Sequence, residues 1–264
     1  SLVINGKSEQ GRISKALTQK ILAYVQEIGY KPNALAKSLA TGKTSTIGLI
    51  VENIGDSFFG PIALHIEDFL RSKGYYVLYS STLGDRELAE TIVNTMLDKK
   101  VDGIILAPTI GLNDAVAHVI HANIPLVIFD RKINDLNTNY VGTDNYACSK
   151  LAVEHLFEQG FKDIGFVTIS SEQPQMNDRE HAYLTAVEQQ NANSCILQTT
   201  YSIDPKVLML QIRDFLIKNP QLDALYFSIN YQCVAGLKAI QMLPEKRDFG
   251  LISLDDHELF DLVQ

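Results

Sequence analysis

The sequence has few of the residues that build disulfide-rich or membrane-spanning proteins. Its three cysteines, Cys148, Cys195 and Cys233, are isolated and odd in number, which disfavours both a disulfide framework and a zinc knuckle. No apolar run approaches the roughly 20 residues that span a bilayer. The first residues also do not form the charged-then-apolar pattern of an export signal. We therefore expect no membrane segment and a cytoplasmic location.

Positive charge is scarce overall but concentrated at one end. Residues 1–46 carry seven Lys and Arg against two Glu, or +5, whereas the whole chain carries −8 and the remainder therefore −13. A phosphate backbone attracts the first part and repels the second, so the acidic total does not argue against DNA binding. On charge alone, a solvated basic surface remains the alternative.

Beyond residue 46, strand patterns alternate with amphipathic helix patterns. Strands are predicted at Ile47–Val51, Tyr76–Tyr79, Gly103–Ala107, Leu126–Phe129, Ile164–Thr168, Cys195–Gln198, Ala224–Phe227 and Leu251–Leu254. Helices are predicted at 61–73, 86–98, 112–122, 146–159, 179–190, 205–218, 232–242 and 257–263. This alternation implies parallel sheets with helices on both faces, and its length favours two lobes. The carboxyl ends of the strands are expected to line one cleft.

The segment from Tyr30 to Leu39 joins the basic part to the acidic body. Pro32 fixes the chain direction, Asn33 suits a helix cap, and a short helix pattern rich in Ala and Leu follows. So short a helix is marginal alone in water. We interpret this segment as a joint that folds only when a partner docks against it, and DNA is the candidate partner.

This joint and an ordered set of later motifs resemble the lactose-repressor (LacI/GalR) family of transcription regulators. The joint reads Tyr-x-Pro-Asn-x-x-Ala-Lys-Ser-Leu, and a polar linker and Ile-Gly-Leu-Ile-Val follow it. The later motifs are Asp56-Ser57-Phe58-Phe59, Val101-Asp102-Gly103-Ile104-Ile105, Phe129-Asp130-Arg131, Gly142-Thr143-Asp144-Asn145 and Ser253-Leu254-Asp255-Asp256. Together they cover nearly the whole chain.

The resemblance implies an α/β, two-lobed, periplasmic-binding-protein-like body with parallel sheets, preceded by a partial helix-turn-helix head and a hinge helix. We expect the partial head at 1–29, the hinge helix and linker at 30–46, the N-terminal lobe at 47–143 and an incomplete C-terminal lobe at 144–264. The family extends further at both ends, so the chain is expected to lack part of the head and part of the second lobe.

The resemblance also assigns roles to individual residues. DNA contacts are expected from Asn5, Lys7, Asn33, Ala36, Lys37 and Leu39. Leu39 would enter the minor groove as an apolar wedge, and the alternative is that it packs with Leu35 against the body. Effector contacts are expected from Ser57, Phe58, Phe59, Asp130, Arg131, Arg179, Phe227, Asn230, Tyr231 and Asp255, with Asp56 beside the first of them.

These effector-site side chains suit a small polar ligand. Carboxylates and arginines hydrogen-bond sugar hydroxyls or a base edge, and phenylalanine offers a flat apolar face. Two positions depart from the family, because Tyr231 stands where Asp is usual and Ala182 where Gly is usual. The tyrosine predicts a narrower cleft, or an effector that is unusual or absent.

The predicted function is that of a sequence-specific DNA-binding regulator, most often a repressor. It would bind double-stranded operator DNA as a homodimer, with a tetramer left open. Its effector would be a sugar, a nucleobase or a phosphorylated metabolite. The alternative is a solute-binding protein of a transporter, which the basic residues before Ile47 fit poorly.

Enzymatic readings find little support in the sequence. The run Gly42-Lys43-Thr44 mimics the end of a phosphate-binding loop, but position 37 is Lys and the strand follows the run instead of preceding it. His118 and His121 lack a third metal ligand. We therefore predict no catalytic residue, no metal site and no cofactor.

Overall fold

The protein is described by a computed structural model that covers residues 2–4, 8–30, 34–133, 135–201 and 204–262, with only the backbone for 34–37. Helix α1 spans Lys15–Glu27, and the Ser14 hydroxyl caps it by accepting a hydrogen bond from the Leu17 amide at 3.3 Å. No residue of α1 is buried. Among the described residues up to Tyr30, α1 is the one helix, so the helix-turn-helix head remains a prediction.

Helix α2 spans Ala34–Thr41 and occupies the predicted hinge. The linker after it is fixed to the body by one carboxylate. Asp102 accepts the backbone amide of Thr44 at 2.8 Å and that of Ser45 at 2.9 Å. Charge-assisted bonds of this kind are stronger than neutral ones, so the hinge is joined firmly to the first lobe at Asp102.

The first lobe is built on a parallel sheet. Its strands are β1 (Thr46–Val51), β2 (Tyr76–Ser81), β3 (Gly103–Leu106), β4 (Leu126–Phe129) and β5 (Asn139–Val141), in the order β2-β1-β3-β4-β5. Helix α3 (Phe59–Ser72) covers one face, and α4 (Arg86–Asp98) and α5 (Asn113–His121) cover the other. Residues alternate along β1, so Leu49 packs towards α3 and Ile50 towards α4.

The second lobe repeats the plan with a four-stranded parallel sheet. Its strands are β6 (Ile164–Ile169), β7 (Cys195–Thr199), β8 (Ala224–Phe227) and β9 (Gly250–Ser253), in the order β7-β6-β8-β9. Helices α6 (Asn145–Glu158) and α7 (Pro174–Gln189) cover one face, and α8 (Pro205–Lys218) and α9 (Asn230–Gln241) the other. A 3₁₀ helix follows at Glu258–Leu262.

The predicted α/β body with parallel sheets in two lobes is confirmed, with differences in detail. Strand β5 was not predicted, because its three residues are partly or fully exposed and carry no apolar pattern. Helix α7 begins at Pro174, five residues before the predicted start, since proline suits the first turn of a helix.

In both sheets the order of the strands reverses direction at one point, and the loops at that point face the cleft between the lobes. The chain leaves β1 towards β2 on one side and returns with β3 on the other, and β6 has the same relation to β7 and β8. Loops that leave the carboxyl ends of neighbouring strands diverge at such a point and open a crevice. The two crevices face one another, and polar residues there form the candidate site.

Candidate functional site

A cavity of about 80 Å³ lies where the two lobes meet. Ligand pockets are commonly about 300–1,000 Å³, so this cavity is small. Eight of the ten predicted effector residues line it: Phe58, Phe59, Asp130, Arg131, Arg179, Asn230, Tyr231 and Asp255. Further lining residues were not predicted: Glu52, Ile169, Gln173, Gln175, Met176, Tyr201 and Ile229.

Strand ends explain why residues so distant in sequence converge. Glu52 directly follows β1, Asp130 and Arg131 follow β4, and Asp255 lies two residues after β9. Asn230 opens α9 after β8. Ligands bind at the carboxyl ends of parallel strands. Glu52 is the first residue beyond the predicted strand Ile47–Val51, so this rule could have identified it as well.

The first lobe contributes a buried ion pair. Arg131 forms a salt bridge through Nη2 to Oε2 of Glu52, and both side chains are almost fully buried. Its Nε lies 3.5 Å from Oδ2 of Asp130 but has no hydrogen-bond partner among the described residues. Burial raises the pKa of Asp130, and the positive charge of Arg131 opposes that rise.

Asp130 is also strained. Its φ of 64° lies in the left-handed region, which a non-glycine residue seldom occupies. The Tyr140 hydroxyl donates to the backbone carbonyl of Asp130 at 3.2 Å. The amide of Asp130 donates to the Val141 carbonyl at 3.0 Å. This conformation turns the chain at the end of β4 so that the Asp130 side chain lines the cleft. Backbone strain of this kind is often found at functional sites.

The second lobe contributes Arg179 from α7. Its Nε donates to Oδ1 of Asn145 at 2.9 Å, and its Nη1 donates to the carbonyl of Ser228. Oδ2 of Asp255 lies 3.9 Å from Nη1. Burial raises the pKa of Asp255, while Arg179 acts in the opposite direction. Arg179 is thus held rigidly at the cleft wall.

One hydrogen bond crosses between the lobes, from Nδ2 of Asn230 to Oγ of Ser57 at 3.4 Å. Within the second lobe, the same Nδ2 donates to the Asp256 carbonyl at 2.9 Å. The Tyr201 hydroxyl, which comes from the loop after β7, faces the Glu52 carboxylate of the first lobe. Burial, followed by the interaction with Glu52, raises the pKa of Tyr201.

Several polar atoms of the cleft have no partner among the described residues. They are Nε of Arg131, Oε1 of Gln175 and the hydroxyl of Tyr231. Burial, followed by the negative charges of Asp56 and Glu52, raises the pKa of Tyr231 to about 12, so its hydroxyl is a donor at neutral pH. Buried polar groups normally have partners, and these three are therefore available to a polar ligand.

Two predicted residues lie elsewhere. Phe227 was expected to face the ligand, but its side chain is fully buried in the core beside α9, where its ring packs onto Gly236. The residue belongs to the second-lobe sheet and points to the face opposite α6 and α7. Ser57 is exposed beside the cavity and contacts Asn230 instead of lining it.

The predicted DNA contacts can be placed only in part. Asn5, Lys7 and Asn33 lie outside the described residues, as do the side chains of Ala36 and Lys37. Leu39, on α2, is 83% exposed. Its side chain is therefore not packed against the body, in contrast to the alternative considered from sequence.

Comparison with known proteins identifies the family. A family model described as periplasmic binding protein domain matches residues 47–255. The ribose operon repressor of Halalkalibacterium halodurans is 28% identical over the whole chain and 77% of its own length. The sucrose operon repressor of Pediococcus pentosaceus is 29% identical over 92% of the chain and 72% of its own length.

The chain belongs to the LacI/GalR family of transcription regulators.

Solved structures share the fold of this LacI/GalR protein. The Cra transcriptional dual regulator from Pseudomonas putida, in complex with fructose 1-phosphate, matches with a TM-score of 0.75 and 16% identity, over 83% of this chain and 82% of its own. A sugar-binding LacI-family regulator from Escherichia coli, complexed with phosphate, matches with a TM-score of 0.70 and 21% identity, over 84% and 82%. The predicted family and the periplasmic-binding-protein-like body are both confirmed.

Family membership gives the LacI/GalR protein its functional class, which is effector-controlled regulation of transcription. The relatives named above are repressors of operons. Within the described residues, no helix is long and apolar enough to cross a membrane. The same residues contain no cluster of His, Cys, Asp and Glu suited to a metal ion.

Proposed function

We propose that this LacI/GalR protein binds operator DNA through its basic N-terminal part and α2. A small polar effector in the cleft between the lobes would control that binding. The observation that carries the proposal is the cleft itself, with two fixed arginines and three unpartnered polar atoms between the lobes. Such a site selects a ligand by hydrogen bonding and can bind it to both lobes at once.

The chemistry of the cleft supports a sugar or a related polyhydroxylated metabolite. Hydroxyl groups both donate and accept, which matches a wall that presents carboxylates, an amide oxygen, a tyrosine hydroxyl and Arg131 Nε. Phe58 and Phe59 pack edge to face with their ring centres 5.0 Å apart and offer an apolar surface beside the polar groups. The named relatives regulate ribose and sucrose operons.

The small cavity implies that binding and lobe movement are linked. An effector the size of a monosaccharide needs more than the roughly 80 Å³ of this cavity, so we expect the cavity walls to move apart when it binds. Asn230 and Tyr201 cross the cleft and would exchange their partners in the first lobe for the ligand. Since Asp102 ties the hinge linker to the first lobe, that movement can reach α2.

We further propose that the protein acts as a homodimer. Leu64 and Phe69 of α3 and Tyr76 of β2 are exposed large apolar residues, and β2 is the edge strand of the first-lobe sheet. An apolar surface beside an unpaired strand edge is suited to pairing with a second copy. Phe69→Asp should convert a dimer into a monomer, as measured by analytical ultracentrifugation, with Leu151→Asp, at an exposed leucine of α6, as the control.

The experiment that tests the function uses the full-length protein. Operator sequences are selected from random duplex DNA at stated salt, and sugars are then screened by thermal shift, since a ligand that binds the native state raises its melting temperature. We expect a sequence selected well above nonspecific DNA, and at least one sugar that raises the melting temperature. If DNA binding never exceeds the nonspecific level, the proposal of operator binding is refuted and the alternative of a solute-binding protein is favoured.

We assign no enzymatic reaction and place the protein in the cytoplasm, where operator DNA is accessible in a bacterial cell. Cell fractionation checks this location. Recovery of the native protein with the envelope fraction would support the solute-binding alternative.

A further inference from the structure

Among the acidic residues of the described cleft wall, Glu52 alone forms a close, buried salt bridge with an arginine. Its carboxylate binds Nη2 of Arg131 and faces the hydroxyl of Tyr201 from the opposite lobe. Glu52 and Arg131 are 4% and 8% exposed. Water therefore screens their attraction little.

The second arginine of the cleft is occupied as well. Arg179 donates to Asn145 and to the Ser228 carbonyl, and Asp255 lies 3.9 Å from it. Together, four carboxylates and two guanidinium groups line the cavity, which gives it a formal charge of −2. An anion that enters meets this negative wall, and both guanidinium groups already contact acceptors of the protein.

A phosphate or carboxylate that binds Arg131 through Nη2 competes there with the Glu52 carboxylate. Displacement would leave the Glu52 carboxylate buried beside the incoming anion, and an unpaired buried charge is strongly unfavourable. A neutral hydroxyl needs no displacement. It can accept from Nε of Arg131, which has no hydrogen-bond partner in the described structure, and donate to a neighbouring carboxylate.

We infer that Glu52 determines the charge class of the effector by holding Arg131 in this ion pair, so that the cleft selects uncharged polyhydroxylated ligands over phosphorylated ones. The inference rests on the proposed function of the cleft as the effector site. Two solved structures of similar fold hold fructose 1-phosphate and phosphate, whereas the inference predicts an uncharged ligand for this chain.

The test compares Glu52→Gln with the unmodified protein and with a matched control, Asp56→Asn. Both variants remove one negative charge from the cleft wall, but only Glu52→Gln frees Arg131, because the Asp56 carboxylate accepts the Phe58 amide at 2.7 Å. Calorimetry and thermal shift are run with inorganic phosphate, and with D-ribose and D-fructose beside their phosphate esters.

The unmodified protein should bind the neutral sugar at least about tenfold more tightly than its phosphate ester, and inorganic phosphate should give no saturable shift. Glu52→Gln should gain a saturable shift with inorganic phosphate and lose most of that discrimination. Asp56→Asn, which removes a wall charge but leaves the Glu52–Arg131 pair in place, should lose less of that discrimination than Glu52→Gln. An unmodified protein that binds the ester as tightly as the sugar overturns the inference, and so do equal effects of the two variants.

A second variant and the inorganic phosphate measurement distinguish failure of the inference from failure of the proposed effector site. If Glu52→Gln fails to fold, Glu52→Asp, whose shorter side chain loosens the ion pair, should show a smaller gain in phosphate binding, and no gain there overturns the inference. If no sugar shifts the unmodified protein, the effector proposal fails for sugars. The inorganic phosphate comparison still decides the role of Glu52.

Discussion

Asn230 and Ser57 lie 173 positions apart in the sequence, yet Nδ2 of Asn230 is 3.4 Å from Oγ of Ser57 across the cleft. Asn230 belongs to the second lobe and Ser57 to the first. A hydrogen bond of this length is weak, because such bonds are usually shorter than about 3.2 Å. The lobes are thus in contact through an interaction that a ligand can readily replace.

Arg179→Ala should abolish effector binding and lower the stability of the protein. The substitution leaves Asp255 without its cation and Asn145 Oδ1 without its donor, so we expect the free energy of unfolding to fall by about 3–5 kcal/mol. Urea denaturation and calorimetry measure the two effects. The control is Arg213→Ala, which removes a more exposed arginine beside Asp214 and should cost less than about 1 kcal/mol. Intact effector affinity in Arg179→Ala would contradict the cleft assignment.

Tyr231→Phe should separate ligand binding from stability. The Tyr231 hydroxyl is buried without a partner in the described structure, so its removal should leave stability unchanged or raise it by up to about 1 kcal/mol. Effector affinity should fall about two- to tenfold through loss of one hydrogen bond. Tyr226→Phe is the matched control, because that hydroxyl donates to Ser149 in the core at 2.7 Å. It should lower stability and leave affinity unchanged, and the reverse pattern would refute the assignment.

Phe227 should matter for packing and not for the ligand. A Cβ atom at Gly236 would lie 2.3 Å from Cζ of Phe227, so Gly236→Ala should destabilise the protein by about 1–3 kcal/mol. Phe227→Leu should partly relieve that clash in the double variant, which a double-mutant cycle measures. Effector affinity should be retained in each folded variant. A large loss of affinity in Phe227→Leu alone would restore the prediction made from sequence.

Asp255 should make stability depend on pH. Burial raises its pKa above the ordinary 3.8, so the folded state holds the proton more tightly than the unfolded state. In the window from 3.8 up to the raised value the unfolded state binds fewer protons, and stability therefore falls as pH rises. Asp255→Asn should remove this loss and raise the melting temperature more at about pH 7 than at about pH 3. An equal effect at both pH values, matching that of the exposed control Asp98→Asn, would contradict the explanation.

Local patterns were enough to predict the sheets and most of the cleft. Apolar strands such as Leu126–Phe129 are visible in sequence because both faces are buried, and residues just beyond strand ends could be placed by topology. Strand β5 was invisible for the opposite reason, since its residues remain largely exposed and its pairing with β4 is a tertiary contact.

The error at Phe227 has a geometric cause. Successive residues of a strand point to opposite faces, and a one-residue difference decides between core and cleft. The sequence shows that Phe227 ends a strand but not which face it occupies. Gln175 and Tyr201 were missed because they come from the start of a helix and from a loop, where no periodicity marks the direction of a side chain.

The most direct test of the account measures operator affinity of the full-length protein with and without the sugar found by thermal shift, by fluorescence anisotropy at fixed salt. Coupling between the cleft and the hinge predicts a change of about 5–150-fold, the range of typical allosteric coupling energies. It also predicts that Arg179→Ala removes the response. A sugar that saturates the cleft while the operator affinity stays the same would contradict the account.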